Sequence, residues 1–274
     1  MTLQASSQLK TLFKRYMKEK DVAKDHAVLS ASGSERWLGC PGSIRESKGV
    51  VTVDGEWSIA GTHAHTLLQF ILENPSDWKQ LLSSKESEAF KKFISFSKEQ
   101  LHSVLVAVVF VWDEQDRMQR AAKRRPALLV EQKVELKDVG FGTADIILFQ
   151  LFGVLHVMDY KNGRSVVEPE DNTQALYYAH AVADKYGWDF REIWITIIQP
   201  NATHKRGPIR TWKTSMDRLE KEGKRFLIGA KRTRDPKAPL VTNEKWCWFC
   251  PARPTCPEQL KVKTKTIMSR FERD

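Results

Sequence analysis

Residues 127–161 read ALLVEQKVELKDVGFGTADIILFQLFGVLHVMDYK, and this stretch decides the fold. Ala127–Leu136, Thr143–Leu151 and Val154–Tyr160 are rich in β-branched and long apolar residues and are bounded by Gly140, Gly142 and Gly153. That composition predicts three successive strands. Phe152-Gly153 fits a tight turn that folds the second and third strands into a hairpin. In an antiparallel hairpin the start of one strand lies beside the end of the next, so Asp145 comes next to Asp159. Asp159 and Lys161 are two residues apart on a strand and point to the same side.

The pattern changes on either side. Downstream, Pro169–Tyr186 reads as helix, Glu192–Gln199 (EIWITIIQ) as a buried strand stopped by Pro200, Arg210–Lys213 as a short further strand, and Thr214–Ala230 as a charged helix. Upstream, Gly61–Asn74 (GTHAHTLLQFILEN) carries Ala64, Leu67, Leu68 and Ile71 at helical spacing. Residues 85–124 suit long helical stretches ending in Lys123-Arg124-Arg125, residues 8–22 a basic helix, and residues 25–60 an irregular segment punctuated by Gly33, Gly39, Gly42 and Gly55. Strands interleaved with helices give an α/β domain around one central mixed sheet flanked by helices. The expected organisation is a single domain over 1–274: an N-terminal segment at 1–60, a core at 61–235 and a C-terminal tail at 236–274.

The chain of 274 residues carries 44 Lys plus Arg against 34 Asp plus Glu, a net charge of +10. That excess favours an acidic partner, nucleic acid first. No apolar run reaches the ~20 residues of a membrane helix; Val104–Trp112 is too short, and the N-terminus has no apolar signal region. The expectation is a soluble, cytoplasmic protein. Its four cysteines argue against a disulfide framework and for metal or redox chemistry. Cys247, Cys250 and Cys256 form a C-x2-C-x5-C tail, with Cys40 far upstream. Four thiolates suit a 4Fe–4S cluster or a structural zinc, and the neighbouring Trp246, Trp248 and Phe249 are expected to shield it.

Converging carboxylates beside a lysine suit metal-assisted phosphodiester cleavage. Hard oxygens hold Mg²⁺ or Mn²⁺, and a lysine beside the metal orients water or neutralises developing charge. Asp145, Asp159 and Lys161 form a D-x13-D-x-K set that resembles the PD-(D/E)XK nucleases, with Ala144 where that signature has proline. Further residues narrow the resemblance to the RecB-like group. His65 lies on the GTHAH helix in a G-x-x-x-H form, with His63 the weaker choice. Glu131 lies on the preceding strand, with Glu135 its rival on the same face. Gln174 and Tyr178 stand four apart on one helix face, as in a Q-x-x-x-Y motif. One remote cysteine plus a C-terminal triplet, rather than the two close pairs usual for zinc, is similar to the iron–sulfur subgroup. That subgroup includes AddB-type recombination nucleases, CRISPR-adaptation exonucleases and phage or prophage relatives. The likeness runs from about Ser30 to Pro257, through ASGSERWLGCPGS, GTHAH, FGTAD, HVMDYKNG, the N-x-Q-A-L-Y-Y helix, IIQP and the cysteine tail.

The resemblance implies a restriction-endonuclease-like core. It implies Mg²⁺ or Mn²⁺ held by His65, Asp145, Asp159 and the Tyr160 backbone carbonyl, with Lys161, Glu131, Gln174 and Tyr178 completing the catalytic set. It implies a 4Fe–4S cluster on Cys40, Cys247, Cys250 and Cys256 that joins the N- and C-terminal segments, and attack on DNA ends, single-stranded and 5′ to 3′, in phage recombination, repair or processing. A recombination protein is a conceivable partner. Candidate phosphate contacts are Lys123, Arg124, Arg125, Lys161, Arg164, Lys205, Arg206 and Arg210. Tyr178 or Trp37 could stack on unpaired bases. With no base-reading module, little sequence specificity is expected. Two alternatives stay open: a non-catalytic DNA-binding accessory, against which the intact D-x-D-x-K set argues, and a DNA endonuclease.

Overall fold

The computed structural model describes residues 27–51, 55–75 and 97–271. The expected basic helix at 8–22 lies outside them, as does the first part of the 85–124 stretch. Two short helices come first, α1 (Ser34–Gly39) and α2 (Ser43–Glu46), then α3 (Glu56–Glu73) and α4 (Lys98–Ala122). Three strands follow, β1 (Ala127–Leu136), β2 (Gly140–Phe149) and β3 (Val154–Tyr160), then α5 (Thr173–Tyr186), β4 (Glu192–Ile198), β5 (Ile209–Thr214) and α6 (Met216–Thr233). The tail holds α7 (Glu244–Cys247) and α8 (Pro257–Phe271). Among the described residues no helix is long and apolar enough to cross a membrane.

The strands form one mixed sheet in the order β1-β2-β3-β4-β5. Only β3 and β4 pair in parallel, and α5 makes the crossover that a parallel pair requires. Side chains alternate across the sheet. Ile147, Phe149, Leu155, Val157, Ile193 and Ile195 pack against α5, α6 and Trp37 of α1. Ile146, Leu148, Met158, Tyr160 and Ile198 pack against Leu67, Leu68 and Ile71 of α3 and Val104, Val108 and Val111 of α4. Covering both faces explains why the inner strands read as continuous apolar runs.

Several boundaries differ from expectation for local reasons. β2 starts at Gly140 rather than Thr143, because Gly140 and Gly142 sit inside the strand as contact points and not as breaks. A Cβ on Gly140 would lie 2.9 Å from the Leu29 carbonyl, and one on Gly142 would lie 2.8 Å from the Tyr178 ring. α5 starts at Thr173 rather than Pro169, since Asn172 caps it by accepting the Ala175 N–H at 3.0 Å. α3 reaches back to Glu56, and α1 and α2 lie within the segment read as irregular.

The N-terminal helices are laced to the first residues of the tail. The Gly42 N–H donates to the Pro239 carbonyl at 3.0 Å, and Arg45 Nη1 donates to the Pro236 carbonyl at 2.7 Å. Gly42 is hemmed by backbone: a Cβ there would lie 2.6 Å from the Ala238 oxygen and 2.8 Å from the Pro239 oxygen. Such neighbours cannot swing aside as a side chain can. Gly42→Ala is expected to destabilise the protein by about 1–3 kcal/mol, the range for forced overpacking, seen as a lower urea midpoint with the slope unchanged.

Candidate functional site

The site begins where β2 and β3 part. Their pairing runs from Phe149↔Leu155 to Ile146↔Met158, and the next residues in that register are Asp145 and Asp159. The Lys161 N–H turns to β4 and donates to the Ile198 carbonyl at 2.9 Å. The Tyr160 N–H turns the other way and donates to Asp145 Oδ2 at 2.8 Å. The carboxylate thus replaces the strand carbonyl that the fork withdraws, satisfying a buried donor. A strand residue turns its N–H and C=O to the same neighbour, so the Tyr160 carbonyl faces this fork too.

β1 and α3 complete the cluster. In the β1–β2 register Glu131 stands across from Asp145, but the pairing skips it, and its φ of 49° is left-handed. That conformation costs a non-glycine residue roughly 1–2 kcal/mol. His65 Nδ1 lies 3.3 Å from Glu131 Oε1 and 3.4 Å from Asp145 Oδ1. Of the rival glutamates, Glu131 is the one in the cluster, while Glu135 is exposed. The His65 ring meets the Tyr160 ring edge-on at 5.3 Å. The Tyr160 hydroxyl is fixed against Ser103 Oγ of α4 at 2.7 Å and donates to Asn162 Oδ1 at 3.2 Å. No signal in the sequence marked Ser103 or Asn162.

His65, Glu131 and Asp145 each bring one ligand atom to within 4.8 Å of the others, a nitrogen–oxygen donor set that fits a divalent cation such as Mg²⁺ or Mn²⁺. Without a cation the group is held by its own charges. Burial works to lower the His65 pKa, but Asp145, and then Glu131, push it up to about 10. The Asp145 carboxyl is held low despite burial, chiefly by His65 and also by Lys161 and the Tyr160 N–H. Asp159 is raised by burial and by the charge of Asp145, against the pull of Lys161.

Asp159 is turned to Lys161, whose Nζ lies 2.7 Å from Oδ2. Both its carboxylate oxygens are buried without a well-aligned hydrogen bond, so its contact with Lys161 is ionic. Burial works against the Lys161 charge, but Asp159 and Asp145 hold its pKa above the ordinary value. Lys161 Nζ donates to Gln174 Oε1 at 3.0 Å, and Gln174 Nε2 donates to the Tyr178 hydroxyl at 3.2 Å. Burial and then Asp145 push the Tyr178 phenol well above its usual range, which keeps it neutral. α5 thereby delivers both of its expected site residues to the fork.

The four cysteines, all free thiols, line one pocket together with Ser43, Val241 and Trp246. The Val241 N–H donates to Cys40 Sγ at 3.2 Å and the Asn243 N–H to Cys247 Sγ at 3.3 Å. Burial pushes the Cys40 thiol up, against the N–H groups of Val241 and Ser43. Among the described residues no three sulfurs come within 4.8 Å of one another. The expected aromatic shield is only one residue deep. Trp246 covers the pocket, whereas Trp248 is 67% exposed, with the Arg253 guanidinium 4.5 Å from its ring centroid, and Phe249 is 76% exposed.

The expected DNA contacts divide by position. Arg164 and Lys205 are exposed in the loops that leave β3 and β4 at the fork end of the sheet. Arg206 is engaged by Glu168 and Glu170. Arg210 is buried and bonded to the Gly207 and Val167 carbonyls, so it is not a phosphate contact. Lys123, Arg124 and Arg125 are exposed just before β1, whose first residue pairs with Phe149 at the opposite end; four residues of strand, about 13 Å, separate that end from Asp145. Trp37 is fully buried and Tyr178 is 4% exposed, so neither stacks on a base.

A protein-family model described as "Protein of unknown function (DUF2800)" matches residues 26–274. A solved structure titled "Crystal structure of SSO0001" is 12% identical, aligned over 82% of this chain and 96% of that one, with a TM-score of 0.27. That likeness is too slight to bear on the fold.

The His65 charge can be read directly. In the metal-free protein its imidazole should titrate near pH 10 by NMR, and in Asp145→Asn it should fall back toward the ordinary range. A folded value above the ordinary 6.5 means that the stabilising contribution is complete below about pH 6.5 and fades as pH rises through about 10. An unchanged titration in the variant would contradict this account.

Proposed function

The chain belongs to the DUF2800 family, and from the geometry of its site we propose that it is a metal-dependent deoxyribonuclease acting on DNA ends. The observation that carries the reading is the gathering of Asp145, Asp159 and Lys161 at the β2–β3 fork with His65 and Glu131 beside them. A protein that only bound DNA would need cations here, and burying carboxylates against one another costs stability without improving phosphate binding.

His65, Glu131 and Asp145 would hold Mg²⁺ or Mn²⁺, and Asp159 and the Tyr160 carbonyl could complete the set. The metal, when bound, polarises the scissile phosphate and lowers the pKa of a water. Lys161, kept charged by two carboxylates and aimed by Gln174, neutralises charge developing on the phosphate oxygens. Tyr178 stays neutral and holds Gln174 in place. The four-cysteine pocket would carry a 4Fe–4S cluster with a structural task, joining the N-terminal helices to the tail. Two backbone N–H groups already point at its sulfurs, and thiols of this kind are kept reduced in the cytoplasm. The preference for single strands, the 5′ to 3′ direction and the setting in phage recombination, repair or processing follow the resemblance to the RecB-like exonucleases.

With end-labelled linear DNA and Mg²⁺ or Mn²⁺, the protein should remove nucleotides progressively from one end and leave a closed circle intact. Asp159→Ala should lose activity by about a thousandfold, as when a preorganised catalytic charge is removed. Cutting of the circle would instead indicate an endonuclease, and DNA binding without metal-dependent cleavage a recombination accessory. Anaerobically purified protein should carry about four irons and four sulfides per chain. Cys250→Ser should lose them and melt at a lower temperature, whereas a zinc content of about one would replace the cluster in this reading.

A further inference from the structure

Arg210 is a buried cation with an incomplete explanation. Its side chain is fully buried, the nearest carboxylate is Glu168 at 4.0 Å, and its Nε has no hydrogen-bond partner. Burying a guanidinium without a close carboxylate is costly, so its remaining bonds indicate what it supports. Arg210 Nη2 donates to the Val167 carbonyl and to Gln199 Oε1, each at 2.8 Å, and Nη1 donates to the Gly207 carbonyl at 3.0 Å.

Gln199 directly follows β4 and is 1% exposed. Its amide uses all four of its hydrogen-bonding positions. Nε2 donates to the Gly163 carbonyl at 3.0 Å and the Ser165 carbonyl at 2.7 Å, while Oε1 accepts from the Val167 N–H at 3.1 Å and from Arg210. Residues 163, 165 and 167 alternate along the segment that leaves β3, and all three are held from inside. Asn201 Nδ2 holds the start of the same segment through the Asn162 carbonyl at 2.9 Å. Between the fastened residues Arg164 is exposed, three positions beyond Lys161. Its backbone is pinned on both sides and its side chain is left for solvent. A side chain presented from a fixed backbone loses less freedom on binding, which favours affinity.

We propose that Gln199 and Arg210 form an internal clamp whose task is to present Arg164 as a phosphate-binding side chain beside the carboxylate fork. The inference rests on the nucleic-acid reading above. Arg164 touches the substrate; Gln199 and Arg210 act through it as positioning residues.

The test measures binding of a labelled single-stranded oligonucleotide across a salt series with a chelator present, followed by steady-state cleavage with Mn²⁺. Arg164→Ala should flatten the dependence of log affinity on log salt by about 0.7, the value for one phosphate contact on a single strand, which is about fivefold in affinity at 0.1 M salt. Arg164→Lys should keep most of the slope. Gln199→Leu should match Arg164→Ala, raising KM and leaving kcat nearly unchanged, and the double variant should bind no worse than either single one. If Gln199→Leu does not fold, Gln199→Glu takes its place: it keeps the bond to Arg210 and loses both donations to the loop. Additive losses in the double variant, or an unaltered slope in Arg164→Ala, would overturn the clamp. A wild-type protein that neither binds nor cleaves DNA would overturn it too, with the fault then lying in the nucleic-acid reading.

Discussion

Where β2 and β3 part, the Tyr160 N–H is left without a strand carbonyl, and the Asp145 carboxylate accepts it at 2.8 Å. The other features of the candidate site are arranged around that hydrogen bond. It holds a carboxylate at the edge of the apolar core, and so dictates which charges can gather there. His65 answers from α3, Glu131 from β1 in a strained backbone, and Lys161 from the end of β3. The apolar layers on both faces of the sheet help to bury Asp145 and Asp159, so those two charges act strongly on their neighbours, while His65 and Lys161 stay about a quarter exposed.

That arrangement is costly to the fold. Two buried carboxylates meet a half-buried lysine and imidazole, one carboxylate has no well-aligned hydrogen bond, and a glutamate adopts a left-handed backbone. Strain concentrated at one end of an otherwise regular sheet is what a site needing preorganised charge would carry. The rest of the sheet compensates. The inner strands are almost wholly buried, and their alternating side chains fill both layers.

Much of this is legible in the sequence, and the reason is periodicity. β1 and β3 have the limits expected from runs of apolar residues, and the turn at Phe152-Gly153 follows from residue type. The proximity of Asp145 and Asp159 needed only an antiparallel hairpin. The facing of Gln174 and Tyr178 needed only a helical period. What stayed hidden depends on partners remote in sequence. The backbone of Glu131 could not be inferred from β1 alone. Arg210 looks like any surface arginine until Gln199, Val167 and Gly207 are seen around it. Trp37, Trp248 and Phe249 show the same limit: the first is buried and the other two exposed, although the sequence offered Trp37 as a base-stacking residue and the other two as a shield for the neighbouring cysteines. Glycines misled at β2, because a residue that breaks strands also serves where another ring must come close.

The placement of the cysteines bears on how the molecule is made. Neither apolar core includes a residue beyond Ala230, and α7 contributes no buried residue. On the ribosome, the sheet and its covering helices can therefore condense before the last three thiols have been synthesised. The cover of Cys40 is completed by the tail, whose Val241 N–H donates to its sulfur and whose Trp246 lines its pocket. Completing the pocket is a finishing step, in which the tail docks onto a surface prepared in advance. A group shared by Cys40 and the tail would close a loop of about two hundred residues, and long closures remove the most freedom from an unfolded chain. A nascent chain stalled before Cys247 would hold a formed sheet and an open seam, a state that a quality-control protease could recognise.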